Sequence, residues 1–269
     1  MSDKPIVLVG LGFTAARLAR RLLRDAKRVF AATRAPERFS ELVQQGVSVG
    51  EFQTDLFPQA ALVAHIIPPL AEPGQTEVHR FLLSIQPSRI VYVSATSVYG
   101  EAGSVNADSP AVPSSEPGTR RLAEEHWIGQ GPWSSLILRA AAIYGPGRGA
   151  HRRVLHPATP ADSQRRGPSG VVSRIHVDDL GSLIRAGLES NVTGAFPVAD
   201  DLPCSTHEIM RWSARYLGMD PDTLDLSGPV TTGRDVDAKA IREQLGLKLE
   251  FPDFRSGIPQ CLREEGERI

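Results

Sequence analysis

A chain of 269 residues has room for one large α/β domain, or for one domain with an appendage. Its 30 Lys and Arg against 31 Asp and Glu leave a net charge of −1, which gives no global attraction to nucleic acid or to anionic lipid. Ordinary hydrophobic content (41%), no run approaching the ~18 apolar residues of a membrane span, and no signal-peptide pattern together predict a cytoplasmic globular enzyme or binding protein. Taken in chain order, residues 6–9 are a continuous apolar run, as in a strand buried on both faces. A helix is predicted over 14–23, a second strand over 29–33 and a helix over 37–45. Strands follow at 47–52 and 61–67, then a helix at 76–85 and a fifth strand at 89–94. Beyond a Pro/Ser-rich stretch come a helix at 119–128 and a sixth strand at 135–139. After a Gly-, Pro- and Arg-rich segment at 146–173, strand-like runs return at 173–177 and 195–199, flanking a helix at 179–188. Helices at 206–217 and 237–245 complete the pattern.

Strand alternating with helix at this spacing predicts an α/β fold with a doubly wound parallel sheet of Rossmann type. The change of texture after Gly145 predicts a small, discontinuous C-terminal substrate lobe. The expected division is 1–145 with 173–200 for the dinucleotide domain, and 146–172 with 201–269 for the lobe. Cys204 and Cys261 stand apart without ligand spacing, so they are expected as reduced thiols, with no metal site.

Gly10-x-Gly12-x-x-Ala15 falls between the first strand and the first helix, where a dinucleotide turn belongs. The first Gly makes the turn and the second admits the pyrophosphate. The small third residue lets the helix pack on the strand with its N-terminal amides toward the phosphates. Phe13 and Thr14 open that helix. The second strand ends in Thr33-Arg34 where NAD-binding chains carry an acid. Arg34 suits the 2′-phosphate of NADP, or is an exposed loop charge. Asp55-Leu56 follows the third strand, where a polar group can meet adenine.

The fifth strand ends in VSATSVYG (93–100), placing Ser94, Thr96, Ser97 and Tyr99 where the sheet stops. Such hydroxyls either satisfy turn backbone or surround something polar. The Gly turn, this strand end, LRAAAIYGPGR (138–148) and RIHVDDL (174–180) occur in order. Together they resemble an extended short-chain dehydrogenase/reductase of the NAD-dependent epimerase/dehydratase group. The tail GRDVDAKAIREQLGLKLEFPDFRSGI (233–258) is similar to the bacterial atypical branch of short chains. The resemblance covers nearly the whole chain.

The resemblance implies that the hydroxyl ladder is the lip of the nicotinamide and substrate site. It implies cofactor contacts from Ile67, Pro68, Ser94 and Ala141, and a homodimer through the helices before strands five and six. It also implies a catalytic tetrad of Asn, Ser/Thr and Tyr-x-x-x-Lys, and here the chain departs at every position. Segment 71–85 holds no Asn, the Ser/Thr position is Ala95, and EPGTRRLAEE (116–125) puts Pro117 and Arg121 at the Tyr and Lys positions. Proline cannot transfer a proton. Arg121 can still hold a ribose or phosphate, but it is a poor proton donor. Ser94, Thr96 and Tyr99 are the expected catalytic groups, with Tyr144 and His176 as further candidates. His176 reads first as a structural histidine at a strand–helix junction. Asp178 and Asp179 are expected to cap the following helix. Ser97, Tyr99, Tyr144 and Arg148 are expected at the substrate. Arg148, Arg152, Arg153, Arg165 and Arg166 either shape an anion-binding wall or form a solvated loop.

Two functions compete. One is an NADP-dependent epimerase or reductase (NAD in second place) acting on a small sugar-nucleotide-like or carbonyl substrate. The other is a catalytically silent NADP-binding sensor or regulator. Neither requires a nucleic-acid or membrane partner.

Overall fold

A computed structural model describes residues 4–156, 170–226 and 233–267. The elements run β1 (Ile6–Val9), α1 (Phe13–Arg24), β2 (Val29–Ala32), α2 (Ser40–Gln44), β3 (Ser48–Gly50), β4 (Leu62–His65), α3 (Gly74–Ile85) and β5 (Arg89–Ala95). Next come β6 (Ser104–Val105), α4 (Glu116–Gly129), β7 (Ser134–Ala140), β8 (Ala142–Tyr144), α5 (Arg152–Leu155), β9 (Val171–Val172) and β10 (Arg174–His176). The remainder is α6 (Val177–Glu189), β11 (Gly194–Val198), β12 (Cys204–Ser205), α7 (Thr206–Tyr216), β13 (Asp235–Val236), α8 (Lys239–Leu245) and α9 (Phe254–Glu264).

Seven strands form one sheet in the order β11-β7-β5-β4-β1-β2-β3, every pairing parallel. Because the strands are parallel, connecting helices cover both faces, and β1 is apolar throughout for that reason. Ile6 and Leu8 pack with Leu18, Leu22 and Leu183 on one face; Val7 and Val9 meet Val78, Phe81 and Leu82 on the other. The chain winds outward from β1 to β3 and then restarts at β4 on the other side of β1. That reversal opens a crevice at the carboxyl ends of β1 and β4. Register aligns Val9, Ala32 and His65 at that edge, with Ser94 beside Arg139 and Ala95 beside Ala140 further along.

Several expectations need correction. Residues 195–199 do join the main sheet, as β11 beside β7, but β10 pairs with β8 in a separate two-stranded sheet. The helix expected over 37–45 is broken: a 3-10 turn at Pro36–Phe39, opened by its proline, precedes the short α2. Helix α9 was not anticipated because Pro259 lies inside it, although Asp253 and Ser256 form a capping box at its start. Its Phe254, Ile258, Cys261 and Leu262 pack with Tyr144, Cys204 and Ile209 in a core separate from the sheet's. Both cysteines are free and buried. No described helix is long and apolar enough to cross a membrane.

Candidate functional site

Gly10 has φ +90°, and a Cβ there would lie 2.3 Å from Ile67 Cγ1, so only glycine fits beneath the β4–α3 loop. Gly12 is the opposite case. It is the extended N-cap of α1, and a Cβ on it would meet nothing within 4 Å. That open space belongs to a cleft of about 530 Å³ lined by Gly10, Gly12, Phe13, Thr33, Arg34, Arg38, Phe52, Ile67 and Pro68. Helix α1 has no side-chain cap and no acid in its first turn, so its leading amides and positive dipole end are available to an anion. Ala15 is buried against the sheet, as expected for the third small position, and Thr14 is buried beside it. Arg34 and Arg38 are exposed just past β2 and form no salt bridge among the described residues. The residues therefore fit a dinucleotide whose adenosine end lies at β2.

Asp55 lines an adjoining cleft of about 980 Å³ that shares Arg34 and Phe52 with the first. Leu56 lines neither. It is exposed and lies against Gly50, whose Cβ would lie 3.0 Å from Leu56 Cδ2.

The hydroxyl ladder splits in two. After Ala95 the chain enters a 3-10 turn, Thr96–Tyr99, and the strand's two-residue alternation ends there. Ser94 is buried and donates to Glu125 Oε1 at 2.6 Å. Glu125 is in turn paired with the buried Arg139 at 2.7 Å. Tyr99 is also buried, with the Arg139 guanidinium 5.0 Å above its ring. Burial pushes the Tyr99 phenol above its ordinary value despite that cation. Neither Tyr99 Oη nor Ser97 Oγ has a hydrogen-bond partner among the described residues. Thr96 and Ser97, by contrast, line a cleft of about 390 Å³ together with Ala95, Arg121, Ala140, Ala141, Ser173 and Arg234. Ser94 and Tyr99 are buried and are not among the residues that line this cleft.

Pro117 occupies the first turn of α4, capped by Ser115 onto Gly118 N, and is exposed away from this cleft. Arg121, one turn on, reaches it and donates to Pro117 O at 3.3 Å.

Tyr144 is not at the substrate cleft. It is buried, its hydroxyl donates to Asp253 O at 3.3 Å, and Gly257 packs so closely that a Cβ there would lie 2.3 Å from Tyr144 Oη. Burial, reinforced by nearby carboxylates, drives this phenol far above its ordinary value. His176 is structural: fully buried, it caps α6 by accepting from Asp178 N at 3.3 Å and lies 3.5 Å from Cys261 Sγ. Burial lowers its imidazole to about 4. The expected caps are corrected accordingly. Asp178 instead pairs with Arg17, and Asp179 accepts from Glu250 N and Phe251 N at 2.8 and 2.9 Å. Arg148 lies over the Phe13 ring at 5.4 Å, and Arg152 pairs with Glu265. Arg165 and Arg166 lie outside the described residues.

Sequence reasoning missed a buried carboxylate, Glu124, that accepts from His65 Nε2 at 3.0 Å, His79 Nε2 at 2.8 Å and Gln75 Nε2 at 2.6 Å. Gln75 Oε1 also holds Leu70 N at 2.8 Å, tying the network to the loop that carries Ile67 and Pro68. The available signal was the pair Glu124-Glu125 in a helix with few apolar positions. No group of three metal-ligating side chains is assembled among the described residues.

No protein-family model matches the chain. A 3-diazoavenalumate denitrifying reductase from a Streptomyces species is 32% identical over 158 residues, 52% of this chain and 51% of that protein. Protein YeeZ of Escherichia coli K12 is 29% identical over 168 residues, 61% of this chain and 59% of that protein. The chain therefore matches only about half to three-fifths of the length of these curated relatives. Among solved structures, a protein of unknown function from Silicibacter pomeroyi superposes with a TM-score of 0.77 at 24% identity, covering 97% of this chain and 99% of that one. The Bordetella bronchiseptica enzyme WbmG, in complex with NAD, gives 0.77 at 18% identity over 97% and 94%. An NAD-dependent epimerase/dehydratase of Methylobacillus flagellatus gives 0.78 at 22% identity over 99% and 100%. The class is thereby defined: this chain has the Rossmann fold of the NAD-dependent epimerase/dehydratase proteins. One of its curated relatives, the Streptomyces protein, is named a reductase.

Proposed function

We propose that the chain binds a nicotinamide dinucleotide, NADP(H) in preference to NAD(H), and exchanges hydride with a small polar substrate at the cleft beside Thr96. The observation that carries this reading is the open Gly12 position at the start of α1, with Arg34 and Arg38, which form no salt bridge among the described residues, beside it. When bound, the nicotinamide supplies the hydride. Arg121 holds ribose or phosphate, while Thr96 hydrogen-bonds the substrate. The alanine floor at 140–142 leaves room for it.

Reduction is favoured over epimerisation. An epimerase takes up and returns a proton on oxygen, yet the described residues lining this cleft include no Asp, Glu, His, Tyr or Lys. A positioned acid or base is typically worth about 10²–10⁴ in rate. The acceptor best matched to such a cleft is one whose reduction leaves no strongly basic oxygen. The Streptomyces relative is named for a diazo substrate, and a diazo group is such an acceptor. The same absence of acid and base is what favours the second reading, a silent NADP-binding sensor.

Titration of NADPH and NADH against wild type and Arg34→Ala tests the cofactor assignment. A hydrogen bond to a charged group contributes about 1.5–3 kcal/mol, so a preference of roughly 10- to 150-fold is expected, lost in the variant. Equal affinities in the wild type sink it. NADPH consumption is then screened with aldehydes, ketones, sugar nucleotides and diazo arenes, with Thr96→Ala expected to lose turnover but retain NADPH. Tight NADPH binding with no consumption across the screen selects the sensor.

A further inference from the structure

We propose that Arg148 is the cation that clamps the pyrophosphate of the dinucleotide, and that Glu265, at the end of α9, holds Arg148 in place. The inference rests on the dinucleotide reading above and adds residues to it from the far end of the chain. Gly145 and Arg148 exchange two backbone hydrogen bonds, at 2.8 and 2.9 Å, across a tight turn with Gly147 at φ +77°. Gly145 brings that turn against α1: a Cβ there would lie 3.2 Å from Phe13 Cζ and 2.5 Å from Val177 Cγ1. Glu265 pins the turn from outside. Its carboxylate accepts from Gly147 N at 2.7 Å and His151 Nε2 at 3.0 Å, and pairs with Arg152 at 2.5 Å.

The result is a guanidinium 5.4 Å over the ring of Phe13, the first residue of α1 and part of the dinucleotide cleft. Arg148 is exposed and forms no salt bridge among the described residues, whereas nearby Arg17 is engaged by both Asp178 and Glu264. An exposed guanidinium held over an aromatic ring keeps its donors accessible, and phosphate oxygens are the acceptors that match its fork. At this end of α1 the helix amides supply the other half of an anion site. Arg148 therefore reads as a cofactor residue and not, as its sequence position suggests, a substrate residue. Glu265 is a positioning residue that acts through it.

The test is calorimetric titration of the full chain with NADPH and with NADH, which share the pyrophosphate and differ at the 2′-phosphate. Arg148→Ala is expected to weaken both by the same factor, roughly 10- to 150-fold, whereas Arg34→Ala weakens NADPH alone. A change below twofold for either dinucleotide in Arg148→Ala overturns the clamp. Glu265→Ala is expected to weaken both dinucleotides in the wild type and to cost nothing further in the Arg148→Ala background. An equal loss in both backgrounds makes Glu265 a general structural support and overturns its half of the proposal. Should Glu265→Ala not fold, Glu265→Gln, which keeps one acceptor for Gly147 N, enters the same cycle. A wild type that binds neither dinucleotide refutes the underlying reading before any substitution is made.

Discussion

Replacing Glu124 by Gln probes the buried network that ties α3, α4 and β4 to the cofactor loop. Glu124 and His65 are both almost wholly enclosed, with side-chain exposures of 3% and 2%. Burial alone would raise the Glu124 carboxyl, but hydrogen bonds from His65 and His79 override it and hold it at about 2, against an ordinary 4.5. At about 1.36 kcal/mol for each tenfold change in proton affinity, that depression corresponds to about 3 kcal/mol of stability. The sign follows from proton counting. Between about pH 2 and 4.5 the unfolded chain binds more protons at this group than the native chain. The contribution is therefore complete above about pH 5 and is lost as the pH falls toward 2. Denaturant unfolding followed by circular dichroism from pH 7 to pH 3 reads this directly. Glu124→Gln should be about 3 kcal/mol less stable at pH 7, with the gap to wild type closing as the medium becomes acidic. A gap that stays constant across that range, or no gap at pH 7, refutes the reasoning.

Gly12→Val should leave the melting temperature nearly unchanged, because its side chain enters open cleft. It should weaken dinucleotide binding by about 100-fold or more, measured by titration. Gly10→Ala should do the reverse first, costing about 1–3 kcal/mol of stability through its positive φ and the clash with Ile67. Burial pushes Asp200 up to about 8, so the native chain retains a proton that the unfolded chain releases near pH 4, and stability declines as pH rises between those values. Asp200→Asn should remove that slope in thermal melts at pH 5 and pH 8; an equal shift at both refutes it.

The sheet and the dinucleotide turn were legible because their signals are local. A parallel strand buried on both faces is apolar throughout, and Ile6–Val9 shows it. The Gly10-x-Gly12-x-x-Ala15 turn needs no distant partner to be recognised, and the structure places its residues as the motif requires. Arg34, just past β2, lines the cleft that begins at this turn. The hydroxyls were not. Ser94 and Thr96 share a strand face by alternation, but the 3-10 turn after Ala95 sends them apart, and Ser94 meets Glu125 from 31 residues away. Tyr144 reads as a site residue from its motif, yet α9, more than a hundred positions later, closes over it. Asp178 and Asp179 have capping chemistry, but Arg17 and the backbone at 250–251 claim them, leaving His176 to cap. The sequence alone determined most of the sheet and where its Gly-rich turn lies, since hydrophobic period and turn chemistry act over a few residues. Which polar side chains face the clefts was decided only by the tertiary structure, because a buried polar group is oriented by whichever partner packing brings within hydrogen-bond reach.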